Sequence, residues 1–278
     1  SNGPSASGPE HEEFQMRRFL VVGCGGSGGG TLAYLMDQLR SELAAYGVDT
    51  LPGGWRFVHV DVPATSQKGP DGVSNVQRQG GTYIGTGAQG LSYQVLDNSM
   101  SNQFKGQERL DCIGTWAPRE PKKVIVPLSE GAGQYRAVGR MVTLRRAVEL
   151  RAALNREMVA LGTEATLQEM RAVAQRVPGL RTADDEKNSP IVLVVSSMAG
   201  GAGASMALDV CRVLSLVNGV TPALTGMFLV APNIFDDALP ASGRTGVRPN
   251  ALAMLGEIVA AQTGSAAGAD MDVLQALG

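Results

Sequence analysis

Two places in this chain set a cluster of small residues between a branched apolar run and a helical pattern, and this arrangement constrains the fold more than any other feature. The first is "RFLVVGCGGSGGGTLAYLM", with its glycines at residues 23–30; the second is "IVLVVSSMAGGAGASMALDVCRVL", with its cluster at residues 196–205. Continuous branched apolar runs read as parallel strands buried on both faces. At the carboxyl end of such a strand the following helix begins with unpaired N–H groups and the positive end of its dipole. Glycines there let the backbone come close to a phosphate. A single corner of this kind serves equally as a tight packing turn. Two of them point to a ligand gripped between opposed loops outside the carboxyl ends of the strands, with close helix packing as the structural alternative. Neither corner carries the lysine of GxxxxGK[ST], so the chain is not a P-loop protein.

The rest of the chain extends the pattern. After the first glycines, Leu32, Leu35, Met36, Leu39 and Leu43 line one helical face, and Gly47 marks a stop. "WRFVHVDVP" (residues 55–63) reads as a second strand ending in an acid and a proline. This strand–helix–strand order implies a right-handed crossover and parallel pairing. Residues 69–90 are polar and glycine-rich and read as loop. Residues 134–162 read as one long helix with Met141, Leu144, Val148 and Ala152 on one stripe, and Thr166 with Glu169 reads as a capping box opening a shorter helix. Strand, helix, strand and a last helix from Asn250 follow. The predicted class is α/β: a parallel sheet with helices on both faces, a Rossmann-like three-layer arrangement.

Composition removes several classes. With 44% hydrophobic and 18% charged residues, the chain of 278 residues can bury a substantial core, and a net charge of −2 offers no basis for nucleic acid as a partner. Cys24, Cys112 and Cys211 are odd in number and lack CxxC spacing, which argues against a disulfide framework or a zinc site and for a reducing, cytoplasmic compartment. No apolar run reaches the roughly 18 residues of a membrane span. Residues 1–16 read as a disordered leader or tag remnant, residues 17–265 as the folded domain and residues 266–278 as a tail.

The glycine corners also carry a resemblance. "VVGCGGSGGGTL" is similar, without a gap, to the first nucleotide loop of the tubulin/FtsZ superfamily, and "AGGAGAS" stands where that family has GGGTG[ST]G. "FVHVDVP" resembles its second strand, "LTGMFLVAP" the strand and loop that reach the ribose, and "RPNALAML" a tubulin segment whose asparagine contacts guanine. "GAGQYRAVGRMVTLRR" further resembles bacterial tubulin-like proteins of actinobacterial type. The five motifs occur in the family's order.

The resemblance implies a domain that binds GTP or GDP with Mg²⁺ and self-associates head to tail in a full-length protein. Gly23, Cys24, Gly25, Gly26, Ser27, Gly28 and Gly29 would lie along the α- and β-phosphates. Ala199, Gly200, Gly201, Ala202, Gly203, Ala204 and Ser205 would grip them from the other side. Asp61 would stand near the γ-phosphate and the metal, and Gly85, Thr86 and Gly87 would form the loop that senses that phosphate. Pro232 and Asp236 or Asp237 would reach the ribose, and Asn250 would read the base.

Three departures qualify this picture. The signature threonine is Ala202, the asparagine that usually closes the first loop is Gly30, and the second domain that carries the hydrolytic carboxylate is not expected here, "GADMD" at residues 268–272 coming too early. No catalytic residue is therefore assigned, and hydrolysis by this chain alone is expected to be slight. A Rossmann or ThiF-like domain binding a dinucleotide or ATP, and a non-hydrolysing scaffold on the tubulin fold, remain alternatives. His59 reads as a packed or hydrogen-bonded histidine, Cys24 as a small packing residue, Asp209 as an exposed acid and residues 140–151 as a solvated basic face; His11 falls in the leader.

Overall fold

The computed structural model describes residues 14–103, 116–182 and 188–264; His11, Cys112 and the acidic stretch at 268–272 lie outside them. In chain order the elements are β1 (Phe14–Met16), β2 (Phe19–Cys24), α1 (Gly25–Ala44), β3 (Trp55–Asp61), β4 (Thr82–Gly85), α2 (Tyr93–Gln103), α3 (Arg136–Arg145), α4 (Ala147–Leu161) and α5 (Glu164–Arg176). They continue with β5 (Leu180–Thr182), β6 (Ile191–Ser197), α6 (Gly203–Ser215), β7 (Thr225–Val230), the single turn α7 (Phe235–Ala238) and α8 (Val247–Gln262).

Five strands form a parallel sheet in the order β4-β3-β2-β6-β7, and β1 pairs with β5 in a separate ribbon. Side chains alternate across each strand. Val21, Phe57 and Val195 therefore pack on one face against Leu32, Ala33 and Met36 of α1. Leu20, Val22, Val58, Val60, Val192 and Val194 pack on the other against helices that include α3, α4 and α6. The result is the expected three-layer α/β architecture. From β2 the chain proceeds outward to β3 and β4, whereas β6 proceeds outward to β7 on the other side. The strand order thus reverses between β2 and β6, where open α/β sheets place their ligands.

Several elements differ from the sequence reading. Residues 14–16 fall in the expected leader, yet they form β1, with Met16 buried against α5. Residues 82–85, read as loop, form the edge strand β4; an edge strand buried only partly carries no continuous apolar run to announce it. Leu35 is exposed, its place on the buried face of α1 being taken by Ala33.

The single long helix is two. Arg146 leaves helical geometry at φ −104°, ψ 15°, one turn after the Thr143 hydroxyl donates to the Gly139 carbonyl at 2.8 Å, a local bond that bends helices. The phase of the apolar stripe shifts there, so Met141 and Leu144 are buried while Val148 is exposed and Ala147, Leu150 and Leu154 face the core. α5 begins earlier than its expected capping box. Thr163 is the N-cap, its Oγ1 accepting from the Thr166 N–H at 3.3 Å, and Glu169 accepts instead from the Gly53 N–H at 2.9 Å.

Two charged residues are also corrected. Asp209 is buried, not exposed, with Arg212 Nη1 at 2.7 Å and Arg140 Nε at 3.3 Å. Arg140 in turn stacks on Trp116 at 4.7 Å, so the basic stretch beginning there is not a uniformly solvated face.

Candidate functional site: a cradle of two uncapped helix starts

β2 and β6 are neighbours in parallel register, Cys24 opposite Ser196, so the two glycine corners leave the sheet side by side. Each corner becomes a helix start with no capping side chain, Cys24 being the N-cap of α1 and Ala202 that of α6. The N–H groups of Gly26 and Ser27, and those of Gly200, Ala202 and Gly203, have no partner among the described residues. Unpaired donors at two adjacent helix starts, with both dipoles adding, make a strong anion site.

These groups surround a cavity of about 250 Å³ lined by residues 24–27, 130–133 and 200–203 together with Asp61, Gln67 and Ser197. The close approach of the corners depends on Gly25, which sits at φ +70° with its α-carbon against the backbone of Gly203. The third wall is held by the backbone, since the Gly201 N–H donates to the Gly133 carbonyl at 3.0 Å.

Asp61, at the end of β3, is buried. Its Oδ1 accepts from the Val62 N–H at 2.7 Å, and its Oδ2 is 3.6 Å from His59 Nε2. His59 Nε2 also lies 3.1 Å from the Gly25 carbonyl oxygen, a hydrogen bond that requires the proton on that nitrogen. The ring sits under Gly29 and edge-on to Tyr83 at 5.1 Å. A packed and hydrogen-bonded histidine was expected; its position between the first loop and Asp61 was not. Burial drives the Cys24 thiol well above its ordinary value, the nearby Cys211 and Asp61 adding to the effect, so Cys24 is a packing residue with no thiolate character.

The structure brings together Cys24, Gly25, Gly26, Ser27, Asp61, Gly200, Gly201, Ala202 and Gly203 of the expected set. Gly29 lines a smaller adjoining cavity that shares Gly26 and Asp61. Gly23 and Gly28 pack on each other beneath the first corner. Ala204 and Ser205 are buried in α6, where the Ser205 hydroxyl donates to the Gly201 carbonyl at 2.7 Å. Gly85, Thr86 and Gly87 stand behind Asp61; Thr86 is fully buried and its hydroxyl donates to the Asp61 carbonyl at 3.1 Å.

Pro232, Asp236, Asp237 and Asn250 do not line the cavity. Asp236 pairs with Arg248 at 2.8 Å. Asn250 is buried, and its Nδ2 donates to the Ala199 carbonyl at 2.9 Å and to the Gln134 carbonyl at 3.1 Å. The lining residues that the sequence reading did not assign are Pro63, Gln67, Glu130 to Gly133 and Ser197. A signal existed for part of this set: "GAG" at residues 131–133 is a third small-residue cluster.

The profile of the family described as "Tubulin like" matches residues 20–273. The chain belongs to the tubulin-like family. Among solved structures it is similar to "CetZ2 from Haloferax volcanii - GTPgS bound protofilament", with 15% identity and a TM-score of 0.37 over 88% of this chain. The chain spans 58% of the length of that protein. No curated protein matches it.

Among the described residues, no group of three or more His, Cys, Asp or Glu could hold a metal ion unaided. Asp61 and Glu130 are the carboxylates that line this tubulin-like cradle. They fit a divalent cation that takes its other ligands from phosphate and water, as Mg²⁺ does in nucleotide sites.

Proposed function

We propose that this domain binds GTP or GDP as the Mg²⁺ complex, with the phosphates in the cradle between α1 and α6. The observation that carries this reading is the pair of uncapped helix starts whose free N–H groups converge on one cavity. Family membership supports the nucleotide class. Backbone donors grip phosphate oxygens without a lysine, and Asp61 with Glu130 offers oxygen ligands to the metal. Asn250, which the resemblance places at the base, is buried outside this cavity lining, so the choice of guanine rests on the family.

Slow hydrolysis by this chain alone is part of the proposal. Among the described residues the cavity lining includes no Lys or Arg, so no side-chain cation stabilises charge developing on a transferring phosphoryl group. Head-to-tail self-association in a full-length protein, and a place in the cytoplasm, complete the reading. Among the described residues no helix is long and apolar enough to cross a membrane.

The test is isothermal calorimetry with GTP, GDP, ATP and NAD, each with Mg²⁺. Saturable binding of both guanine nucleotides is expected, with ATP at least about tenfold weaker through the lost base contacts. An absence of GTP binding, or a preference for NAD or ATP, overturns the proposal.

A further inference from the structure

At the opposite end of the sheet from the glycine corners, a second cavity of about 250 Å³ opens between α1, the amino ends of β3 and β4, and α4. Its walls are fixed by hydrogen bonds that do not enter it. The Trp55 indole N–H donates to the Arg17 carbonyl at 3.1 Å, and the Phe19 N–H donates to the Gly54 carbonyl at 2.9 Å. The apolar part of its lining is Met36, Leu51, Trp55 and Phe57. Arg40, Arg56 and Glu157 line it as well. Arg56 lies on the opposite side of β3 from Trp55 and Phe57, because side chains alternate along a strand, so the cavity wraps the end of the sheet.

The hydrogen bonds among these charged groups leave one group free. Glu157 uses both oxygens, Oε1 accepting from the Thr82 hydroxyl at 2.6 Å and Oε2 from Arg56 Nε at 2.6 Å. Arg40 gives Nη1 and Nη2 to the side-chain and main-chain oxygens of Gln79, each at 3.0 Å. Arg56 commits only Nε, and its two terminal nitrogens have no partner among the described residues. Glu157 holds the guanidinium by one edge while its side chain stays 35% exposed. Two cations against one satisfied acid leave the lining net positive.

We propose that this cavity binds a small organic carboxylate with a flat, apolar body, its carboxylate on the terminal nitrogens of Arg56 and its body against Trp55 and Leu51. A planar guanidinium fork matches a carboxylate in two parallel hydrogen bonds, and a preformed pocket with an apolar wall and few convergent polar groups is the usual form of a small-molecule site. An inorganic anion would satisfy Arg56 and leave the apolar wall wet; a neutral aromatic would cover that wall and leave the fork unused. The site is independent of whether the glycine cradle holds a nucleotide.

The probe is phenylacetate, titrated into the whole chain by calorimetry, with 2-phenylethanol and inorganic sulfate as comparisons and Trp55 fluorescence as a second readout. A saturable single site is expected with a dissociation constant on the order of 1 mM, the range open to a ligand of this size. 2-Phenylethanol should bind at least about tenfold more weakly, as the loss of a charge-assisted pair requires. Sulfate at equal concentration should not displace phenylacetate. Arg56→Gln should weaken binding at least about tenfold. Because it also removes a partner of Glu157, Arg56→Lys is the companion variant: it keeps the charge, loses the fork, and should bind phenylacetate several-fold more weakly with an unchanged circular dichroism spectrum. No saturation by about 10 mM, equal binding of the acid and the alcohol, displacement by sulfate, or unchanged affinity in a folded Arg56→Lys chain each overturns the proposal.

Discussion

A Cβ placed on Gly25 would lie 2.7 Å from the backbone nitrogen of Gly203. The first residue of α1 and the first residue of α6 therefore touch through backbone alone, and the cradle exists because neither carries a side chain there. Gly25 also holds φ +70°, a conformation that costs a residue with a Cβ about 1–2 kcal/mol. Gly25→Ala should lower unfolding free energy by at least about 2 kcal/mol, since overlap adds to backbone strain. Gly26→Ala provides the contrast, because nothing lies within 4 Å of a Cβ at that position. It should leave stability unchanged or raise it by up to about 1 kcal/mol while weakening nucleotide binding, since Gly26 lines the cavity. Urea unfolding and calorimetry on the two variants separate packing from ligand contact.

Gln134 ties the third wall of the cradle to the start of α8. Its Nε2 donates to the Gly243 carbonyl, its Oε1 accepts from the Gly246 N–H at 2.5 Å, and its own carbonyl accepts from Asn250. Gln134→Ala should destabilise the chain by about 1–3 kcal/mol, the cost of leaving partly buried partners unpaired. Hydrogen exchange should accelerate at residues 243–250, and protection there unchanged from the parent chain would show that the link carries no weight.

Asp209 stands between two guanidinium groups inside the core. Asp209→Ala should cost about 3–5 kcal/mol, because it removes one partner from a buried charge network. Asp209→Asn keeps the volume and one acceptor and should cost about 1–3 kcal/mol. Chemical denaturation of both variants checks the order; equal losses would mean that the charge alone, and neither the volume nor the remaining acceptor, holds the site.

How much of this was legible beforehand follows from burial. β2 and β6 carry near-continuous branched runs because both faces of the sheet are covered, so Leu20 to Val22 and Val192 to Val195 announce themselves. β4 pairs on one side only and is half-buried, so "TYIG" reads as loop until β3 lies beside it. The cradle's glycines were readable, since their clustering has few other uses. Which of them face the cavity was not, because Gly26 and Gly28 are alike in sequence and differ only in that Gly28 packs under the corner. His59 and Asp61 stand two residues apart in one strand and so share a face, a pairing that becomes legible once the strand is assigned. Gly131 to Gly133 join the site through a backbone bond to Gly201, and no spacing rule links residues so far apart.

Alkaline pH should destabilise the fold. Burial raises the Cys24 thiol well above its ordinary 9.0 and pushes Cys211 up to about 11; burial also raises the phenols of Tyr83 and Tyr93. These groups are neutral in the folded chain, and the unfolded chain releases their protons first as pH rises. Their contribution is complete below about pH 9 and is lost progressively above it. Urea midpoints from pH 7 to 11 should be flat at first and then fall, and peptide mapping after iodoacetamide at pH 8 should find Cys24 unmodified unless the chain is unfolded. Rapid alkylation of Cys24 in the folded chain would contradict its buried position.

Ala202 occupies the N-cap of α6, lines the cavity and offers no side-chain hydrogen bond. A hydroxyl at this position would stand at the mouth of the cradle, where it can donate to a phosphate oxygen. Ala202→Thr should therefore strengthen binding of GTP by about 2- to 10-fold, the worth of one added hydrogen bond. Without nucleotide the same hydroxyl can cap α6, which should raise stability by up to about 1 kcal/mol. The two effects oppose each other at the binding step, because a hydroxyl that caps Gly203 or its neighbours must be released to meet phosphate. A gain in thermal stability accompanied by weaker GTP binding would show that the alanine keeps the donors of α6 free, and that the missing threonine is a feature of the cradle and no defect in it.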